Sequence, residues 1–285
     1  EYRAIHPYTK GNGFKPYARE MDFILERSSD GQEFKADALF KEWEKIQENN
    51  SYSKKSSQSN WISKGPINTP IILSNGKKRG NGRVNCIAFD PVDPDIIWIG
   101  SPAGGLWKSV DGGDNWTTNT DNLPVIGVSS IAIDPTNTQN MLIVTGDAHA
   151  TDTYSIGILK STDGGNSWNT TSLSYNINQE KRINKVIINH VYPDSVFAVT
   201  NDNIMISTDA GANWQTVGLG GRWRDIEFKP GTPSTIYAAK QSSGGSNVYR
   251  TTDGGANWSV INNGVASSGK YRPLIAVTPD NPEVI

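Results

Sequence analysis

Short apolar runs separated by Gly, Pro, Asp, Asn and Ser recur from about residue 84 to the end of the chain. One stretch shows the units in order: Ile131 to Ile133, a turn at Asp134-Pro135, Met141 to Thr145, Ile158 to Lys160, and a run beginning at Trp168. Each run is too short for a helix and is bounded by turn residues, as is typical of β-strands. This pattern predicts an all-β fold of short strands.

The first strand of this unit recurs along the chain, so the fold is repetitive. Its copies are Cys86 to Phe89, Ile131 to Ile133, Val186 to Ile188, Ile226 to Phe228 and Leu274 to Val277. A period of about 45 residues fits the four-stranded blade of a β-propeller. We therefore expect five blades that start near residues 84, 129, 183, 224 and 273. The fifth is unfinished at Ile285, and we expect a longer parent protein.

Four copies of one motif lie between the third and fourth strand of each complete unit. Each copy has the form Ser/Thr-x-Asp-x-Gly-x-x-Trp, known as the Asp-box, and the motif residues are Ser109, Asp111, Gly113, Trp116; Ser161, Asp163, Gly165, Trp168; Ser207, Asp209, Gly211, Trp214; and Thr251, Asp253, Gly255, Trp258. The hydroxyl and the carboxylate can bond the backbone of a tight turn, and Gly supplies conformations that a side chain forbids. The Trp is expected to pack the turn against its blade. The motif therefore predicts a structural role and does not indicate chemistry.

The boxes and their surroundings resemble the sortilin-type and bacterial Asp-box (BNR-repeat) propellers. The supporting segments are Trp61 to Pro66, Gly82 to Asn85, Asp90-Pro91 and Gly104 to Ser109, and the resemblance covers residues 59–285. Members include sialidases, xyloglucan-cleaving glycosidases, sortilin-type receptors, photosystem assembly factors and exported Bacteroidota proteins, often cargo of type IX secretion. The resemblance implies a bacterial protein that is secreted or held at the cell surface.

Residues 1–58 have a different pattern, with apolar positions at helix-like spacing and no Asp-box. We expect two helical pieces, about Pro16 to Arg27 and Phe34 to Asn49, followed by a polar linker. Their apolar stripes are expected to pack on the propeller. Docking to a partner is the alternative. The propeller itself is expected to span residues 59–285.

Composition excludes several classes of function. The net charge of −2 provides no general attraction to nucleic acid, so no nucleic-acid partner is expected. A single cysteine, Cys86, allows no disulfide framework, and the three histidines have no metal-ligand spacing. No apolar run is long enough to span a membrane. If the protein is exported, we expect its signal peptide to have been removed.

Candidate chemistry lies in the loops opposite the Asp-boxes, on what we call the loop face. The longest loop between a second and third strand is Gly146 to Ser155, which carries Asp147, His149, Asp152 and Tyr154. These side chains suit acid, base or cation-ligand roles. A bound calcium ion is thus an open alternative at this loop, and no other cofactor is expected. The remaining alternative is a solvated loop.

Arginines recur at one offset from the first strands. Six residues before the strand ends stand Arg83, Gly127, Arg182, Arg222 and Tyr271. We expect the three arginines to converge near one rim of the central channel and to attract an acidic group. Arg224 and Arg272 are expected to support them, with Trp223 and Tyr271 as stacking surface. The alternative is that each arginine is already neutralised by a nearby carboxylate.

An enzymatic function is the alternative to binding. A glycosidase normally needs two carboxylates beside the scissile bond. In the xyloglucan-cleaving relatives one of them is an Asp before the Gly-Gly that follows the first blade's second strand. This chain has Ser101-Pro102-Ala103 before Gly104-Gly105 at that place. Nor does the chain show the Phe-Arg-Ile-Pro stretch or the Tyr/Glu pair of sialidases.

The sequence therefore favours a non-enzymatic, exported propeller that binds a protein, peptide or glycan through its loop face. Such a protein is expected to meet the outer-membrane secretion machinery as type IX cargo. The runner-up is a carbohydrate-active hydrolase of sialidase or xyloglucanase type, with some catalytic residues outside this chain. A structural interaction domain in a larger assembly is the third hypothesis.

Overall fold

A computed structural model describes residues 37–48, 82–149, 153–242, 245–262 and 272–285. It divides the chain into two units, Glu1–Ser51 and Tyr52–Ile285, so the division falls before the boundary expected at residue 58. The first unit contains helix α1 (Ala38–Glu48) within the expected segment Phe34 to Asn49. The other expected helix, Pro16 to Arg27, lies outside the described residues.

The second unit contains four antiparallel sheets of four strands, each in simple sequential order. The first has strands β1 (Cys86–Phe89), β2 (Ile97–Ser101), β3 (Gly105–Ser109) and β4 (Thr117–Thr118). The second has β5 (Val128–Ile133), β6 (Met141–Thr145), β7 (Gly157–Ser161) and β8 (Asn169–Ser174). The third has β9 (Ile183–Ile188), β10 (Val196–Thr200), β11 (Ile204–Ser207) and β12 (Gln215–Thr216). The fourth has β13 (Arg222–Lys229), β14 (Thr232–Ser242), β15 (Gly245–Thr251) and β16 (Ser259–Val260). The sheets are propeller blades, and the predicted all-β fold is confirmed.

The fifth unit differs from its prediction. Leu274 to Val277 is not hydrogen-bonded into a sheet among the described residues, and one isolated bridge, Thr278 to Asn281, follows it. A strand forms only where a neighbour satisfies its backbone groups. We call residues 272–277 the fifth inner segment. It still packs on the fourth blade, since Ile275 is buried against Tyr237 and Ala239.

The hydrophobic core is a series of layers between successive blades. Trp98 and Val128 pack between the first and second blades, Leu142 and Val186 between the second and third, and Phe197 among residues of the fourth. Second strands are therefore covered on both faces, and every residue of β6 and β10 is buried. Because each blade needs its neighbours to bury its faces, the sheets are stable only as a stack.

The Asp-boxes form the turns at one end of the blades. In the first box, Ser109 Oγ accepts a hydrogen bond from Gly113 N at 2.9 Å and donates to Asp111 Oδ1 at 2.8 Å. The other Asp111 contacts are with Asn115, whose backbone N donates to Oδ1 at 2.8 Å and whose side chain donates to Oδ2 at 2.7 Å. These bonds lower the pKa of Asp111, Asp163, Asp209 and Asp253 to about 2. Every box carboxylate is thus used inside its own turn.

Three of the box tryptophans also contact residues of the neighbouring blade, whereas the sequence predicted only contacts with their own blade. Trp168, Trp214 and Trp258 contact the layer shared with the preceding blade and not only their own turn. In three boxes the indole Nε1 donates to the box glycine carbonyl, at 2.9 to 3.0 Å. In the second box, Asn119 of the first blade donates to Gly165 O at 2.6 Å instead. The boxes therefore also join blades.

Candidate functional site at the loop-face end of the channel

The inner strands β1, β5, β9 and β13 and the fifth inner segment surround a cavity of about 720 Å³. At its loop-face end it is lined by Asn85, His149, Asn184, Arg224 and Arg272. We call this end the channel mouth. All of these residues belong to the unit Tyr52–Ile285.

A repeated irregularity turns polar side chains into the channel mouth. The pairing of β5, β9 and β13 with their neighbours shifts register near the start of each strand, which leaves Ser129, Asn184 and Arg224 without a direct partner. Such bulges re-aim a side chain, and they are common beside binding sites. All three residues stand four positions before the end of the apolar run on their strand, at Ile133, Ile188 and Phe228. Of this repeated position only Arg224 was predicted as a site residue, although the polar character of Asn85, Ser129 and Asn184 was visible in the sequence.

Arg224 is half-buried and held by neutral groups. Its Nε donates to Gln241 Oε1 at 2.7 Å, and its Nη1 lies 3.3 Å from Asn184 Oδ1 and 3.2 Å from Asn201 Oδ1. Burial, followed by the charges of Arg272, Arg222 and Arg182, lowers the pKa of Arg224 to about 10. Three neighbouring guanidinium groups therefore act on Arg224, and a bound anion would relieve this repulsion.

Arg182 and Arg272 complete the cluster. The Arg182 guanidinium carbon lies 4.9 Å from the ring centroid of Tyr154, a cation–π contact. Arg272 Nη1 donates to Ala148 O at 2.9 Å, which joins the fifth inner segment to the loop of the second blade. The Nε atoms of both arginines are buried and have no hydrogen-bond partner among the described residues. Burial lowers the pKa of Arg272, and Asp147 and Asp225 oppose that shift.

Arg83 was expected to offer its guanidinium to a ligand, but the guanidinium is already engaged. It forms an ion pair with Asp147, whose side chain is 0% exposed. Asp147 Oδ1 also accepts from Asn85 Nδ2 at 3.2 Å and His149 N at 2.9 Å. These contacts lower the pKa of Asp147 although burial opposes them. The alternative of a neutralised arginine thus applies to Arg83, and Asp147 is an anchor of the loop.

Trp223 requires a second correction. It was expected to offer a stacking surface to a ligand, but it is 0% exposed, packs against Tyr249, and donates from Nε1 to Leu219 O at 2.6 Å. Trp223 stands five positions before Phe228, the end of the apolar run on its strand. Val128 and Ile183 occupy the same position in the second and third blades and are buried as well. Trp223 therefore belongs to the core.

Of the remaining predicted residues, two lie near the cluster and two lie outside the described residues. Arg222 is solvent-exposed and close enough to lower the pKa of Arg224. His149 is exposed at the channel mouth, where burial and then the charge of Arg272 lower its pKa. Asp152 and Tyr271 lie outside the described residues. Within the described part of the chain, no group of three or more His, Cys, Asp or Glu side chains could hold a metal ion.

Comparisons with known proteins agree with the fold. The family model described as sortilin, neurotensin receptor 3 (Sortilin-Vps10) matches residues 157–272. A xyloglucanase of Paenibacillus sp is 23% identical over 59% of this chain and 17% of its own length. Xyloglucanase Xgh74A of Acetivibrio thermocellus is 25% identical over 55% of this chain and 19% of its own. This chain thus matches less than a fifth of each of these relatives.

Solved structures show the same architecture. An ancestral GH74 enzyme gives a TM-score of 0.57 at 21% identity, over 65% of this chain and 26% of that one. The GH74 enzyme of Niastella koreensis gives 0.55 at 21% identity, over 70% and 32%. YCF48 bound to D1 peptide gives 0.50 at 23% identity, over 70% and 58%. With its four boxes and four-stranded sheets, the chain is a β-propeller of the Asp-box kind.

Proposed function

We propose that this propeller is an exported or cell-surface binding protein that holds an acidic group of a protein, peptide or glycan at its channel mouth. The observation that carries the proposal is that Arg224 and Arg272 line one cavity, while Arg182 and Arg222 lie close enough to lower the pKa of Arg224. Like charges in contact destabilise one another, and guanidinium groups bind carboxylate, sulfate and phosphate in forked geometry. The ligand supplies the missing negative charge.

The surroundings of the cluster support this function. Asn184, Asn201 and Gln241 hold Arg224 through neutral oxygens, so its positive charge is not cancelled by these contacts. The unbonded Nε atoms of Arg182 and Arg272 are donors without acceptors in the described part of the chain. A buried donor left without an acceptor costs about 1 to 3 kcal/mol. An anion at the mouth would remove part of that cost.

One solved structure of similar fold is YCF48 bound to D1 peptide. Peptide binding by a protein of similar fold therefore has a precedent, which supports a peptide as one ligand class. An extracellular setting is supported by the resemblance to exported propellers. No described helix is long and apolar enough to cross a membrane.

The test is a titration of acidic peptides and of sulfated or uronic-acid glycans, with amidated peptides and neutral xyloglucan fragments for comparison. A charge-assisted contact is worth about 1.5 to 3 kcal/mol, so Arg182→Ala and Arg272→Ala should each weaken acidic ligands about ten- to a hundredfold. Arg250→Ala is the matched control, because Arg250 is exposed on β15 outside the cluster. Equal affinity of all four proteins at low salt would refute the site.

The second candidate is a glycoside hydrolase, which the two xyloglucanase relatives favour. Three acidic residues near the channel are already engaged: Asp147 with Arg83, Asp202 with Lys181 and Asp225 with Lys185. An ion-paired carboxylate is a poor general acid, because the pair favours its ionised form. Release of reducing sugar from xyloglucan by this chain, unaffected by the arginine changes, would favour the hydrolase and count against the binding function.

A further inference from the structure

Asp225 joins the inner strands of three successive units. It lies in β13 with 4% of its surface exposed. Its Oδ1 accepts from Lys185 Nζ of the third blade at 2.7 Å, and its Oδ2 accepts from Ile275 N of the fifth inner segment at 2.7 Å. Lys185 Nζ also contacts Glu227 Oε1 at 2.5 Å. Both oxygens of one buried carboxylate are thus bound by neighbours on opposite sides.

The same kind of bond occurs between the second and third blades with a neutral residue. Ser130 Oγ accepts from Val186 N at 3.2 Å. Ser130 and Asp225 each stand three positions before the end of the apolar run on their inner strand, at Ile133 and Phe228. Val186 and Ile275 each stand two positions before the end of the next run. Joining the blades therefore needs only a hydroxyl, and the negative charge of Asp225 serves the cations beside it, of which Lys185 is paired with it on one side.

On the other side the same charge acts on Arg272, three residues before Ile275. The fifth inner segment is not hydrogen-bonded into a sheet among the described residues, so few bonds fix its position. Arg272 is half-buried, and the negative charges of Asp147 and Asp225 favour its charged form. The Asp225 bond to Ile275 N fixes the backbone of this segment, and the carboxylate stabilises the guanidinium that the segment carries.

We propose that Asp225 is a positioning residue that sets the place of Arg272 at the channel mouth, both by holding Ile275 and by its charge. This inference rests on the proposed function for its biological meaning, because Arg272 is one of the arginines assigned to the ligand. Asp225 itself is buried beneath the mouth and acts through Arg272.

His149 reports the position of Arg272 without any ligand. Burial, followed by the charge of Arg272, lowers the pKa of His149 from the ordinary value of 6.5, and Arg83 and Arg224 act in the same direction while Asp147 opposes them. Displacement of Arg272 should therefore raise this pKa. Loss of the Asp225 charge acting directly would have the opposite sign, because removing a negative charge disfavours the imidazolium. The direction of the shift separates the two causes.

The experiment follows the His149 ring proton by NMR between pH 4 and pH 8 in the full chain, with the other two histidines assigned by substitution. Arg272→Ala and Asp225→Ala should both raise the pKa of His149, and the double variant should not raise it further. Asp225→Ser keeps a hydroxyl acceptor that the fold already uses at Ser130, so it should fold, and it should raise the pKa of His149 because Arg272 loses the carboxylate that stabilises its position. Ser130→Ala is the matched control and should leave the pKa unchanged.

An unchanged His149 pKa in folded Asp225→Ser, or in Arg272→Ala, would overturn the proposal. A parallel titration with a Glu-rich peptide should show an affinity about tenfold weaker in Asp225→Ser, equivalent to about 1.4 kcal/mol. If wild type does not bind the peptide while the His149 shifts appear as expected, the proposed function fails and the positioning role stands.

Discussion

Gly165 of the second blade lies so close to Trp98 of the first that a Cβ on this glycine would stand 2.5 Å from Trp98 Cη2. The same relationship joins Gly211 to Leu142, at 2.7 Å from Cδ1, and Gly255 to Phe197, at 2.9 Å from Cε1. In each case the second residue of one blade's second strand meets the box glycine of the next blade. The box glycine therefore permits both a left-handed turn and the close approach of a neighbour.

Replacing this glycine should separate the two roles. Gly165→Ala and Gly113→Ala both place a side chain at positive φ, +79° and +101°, which costs about 1 to 2 kcal/mol. A Cβ at Gly113 meets its own Trp116 at an ordinary 3.6 Å. Gly165→Ala should therefore lose about 1 to 3 kcal/mol more, the range for overpacking. Urea denaturation of the two variants measures the difference, and equal losses would contradict the interblade role.

The low pKa of the box carboxylates predicts that the protein loses stability in acid. Their pKa of about 2 lies below the ordinary 3.8, so the stabilisation is present above pH 4 and is lost as the pH falls toward 2. Asp111→Asn removes one titrating group, and its melting temperature should depend less on pH in that window than that of wild type. Asp114→Asn, an exposed position in the same turn, is the control and should keep the wild-type slope. A wild-type slope in Asp111→Asn would refute the assignment.

Arg83 should affect stability more than ligand affinity. Arg83→Met keeps an apolar stem but leaves the buried Asp147 carboxylate without its cation. Removing one partner of a fully buried pair costs about 3 to 5 kcal/mol. Arg83 is 42% exposed, so water screens the pair and we expect about 1 to 2 kcal/mol. Calorimetric unfolding measures the loss, and binding of acidic peptides by the folded variant should stay closer to wild type than in Arg272→Ala.

Trp223 should behave as a core residue. Trp223→Ala should destabilise the protein by about 3 to 5 kcal/mol, the range for removing a large buried aromatic ring. The experiment combines denaturant unfolding with peptide titration on the folded fraction at low temperature. A loss of affinity at unchanged stability would restore the stacking role that the structure excludes.

The parts of the fold set by local bonds could be predicted from the sequence. Ser161, Asp163 and Gly165 lie within five residues of one another and satisfy the turn among themselves, so the motif alone identifies the structure. The bulges at Asn184 and Arg224 were missed because they depend on pairing with the second strand. Aligning the inner strands residue by residue would have shown a polar position there.

The parts set by distant contacts could not be predicted. Arg83 and Asp147 are 64 positions apart, and Arg272 and Ala148 are 124 apart. Nothing in either local sequence indicates which side chain neutralises which. The arginine offset directed attention to the loop face, while the contacts of Arg83 with Asp147 and of Arg272 with Ala148 were visible only in three dimensions.

The contact between a second strand and the following box glycine has a consequence for how such chains change over generations. The second and third blades each carry both halves of the contact: a bulky residue that packs on the box glycine of the next blade, and a box glycine that contacts the bulky residue of the previous blade. Duplicating a whole repeat adds one such contact with each neighbouring blade and leaves the residues of both neighbours unchanged. Gain or loss of one repeat is therefore tolerated more readily than a single substitution at Gly165, Gly211 or Gly255, as expected where stability is a sum of nearest-neighbour interfaces.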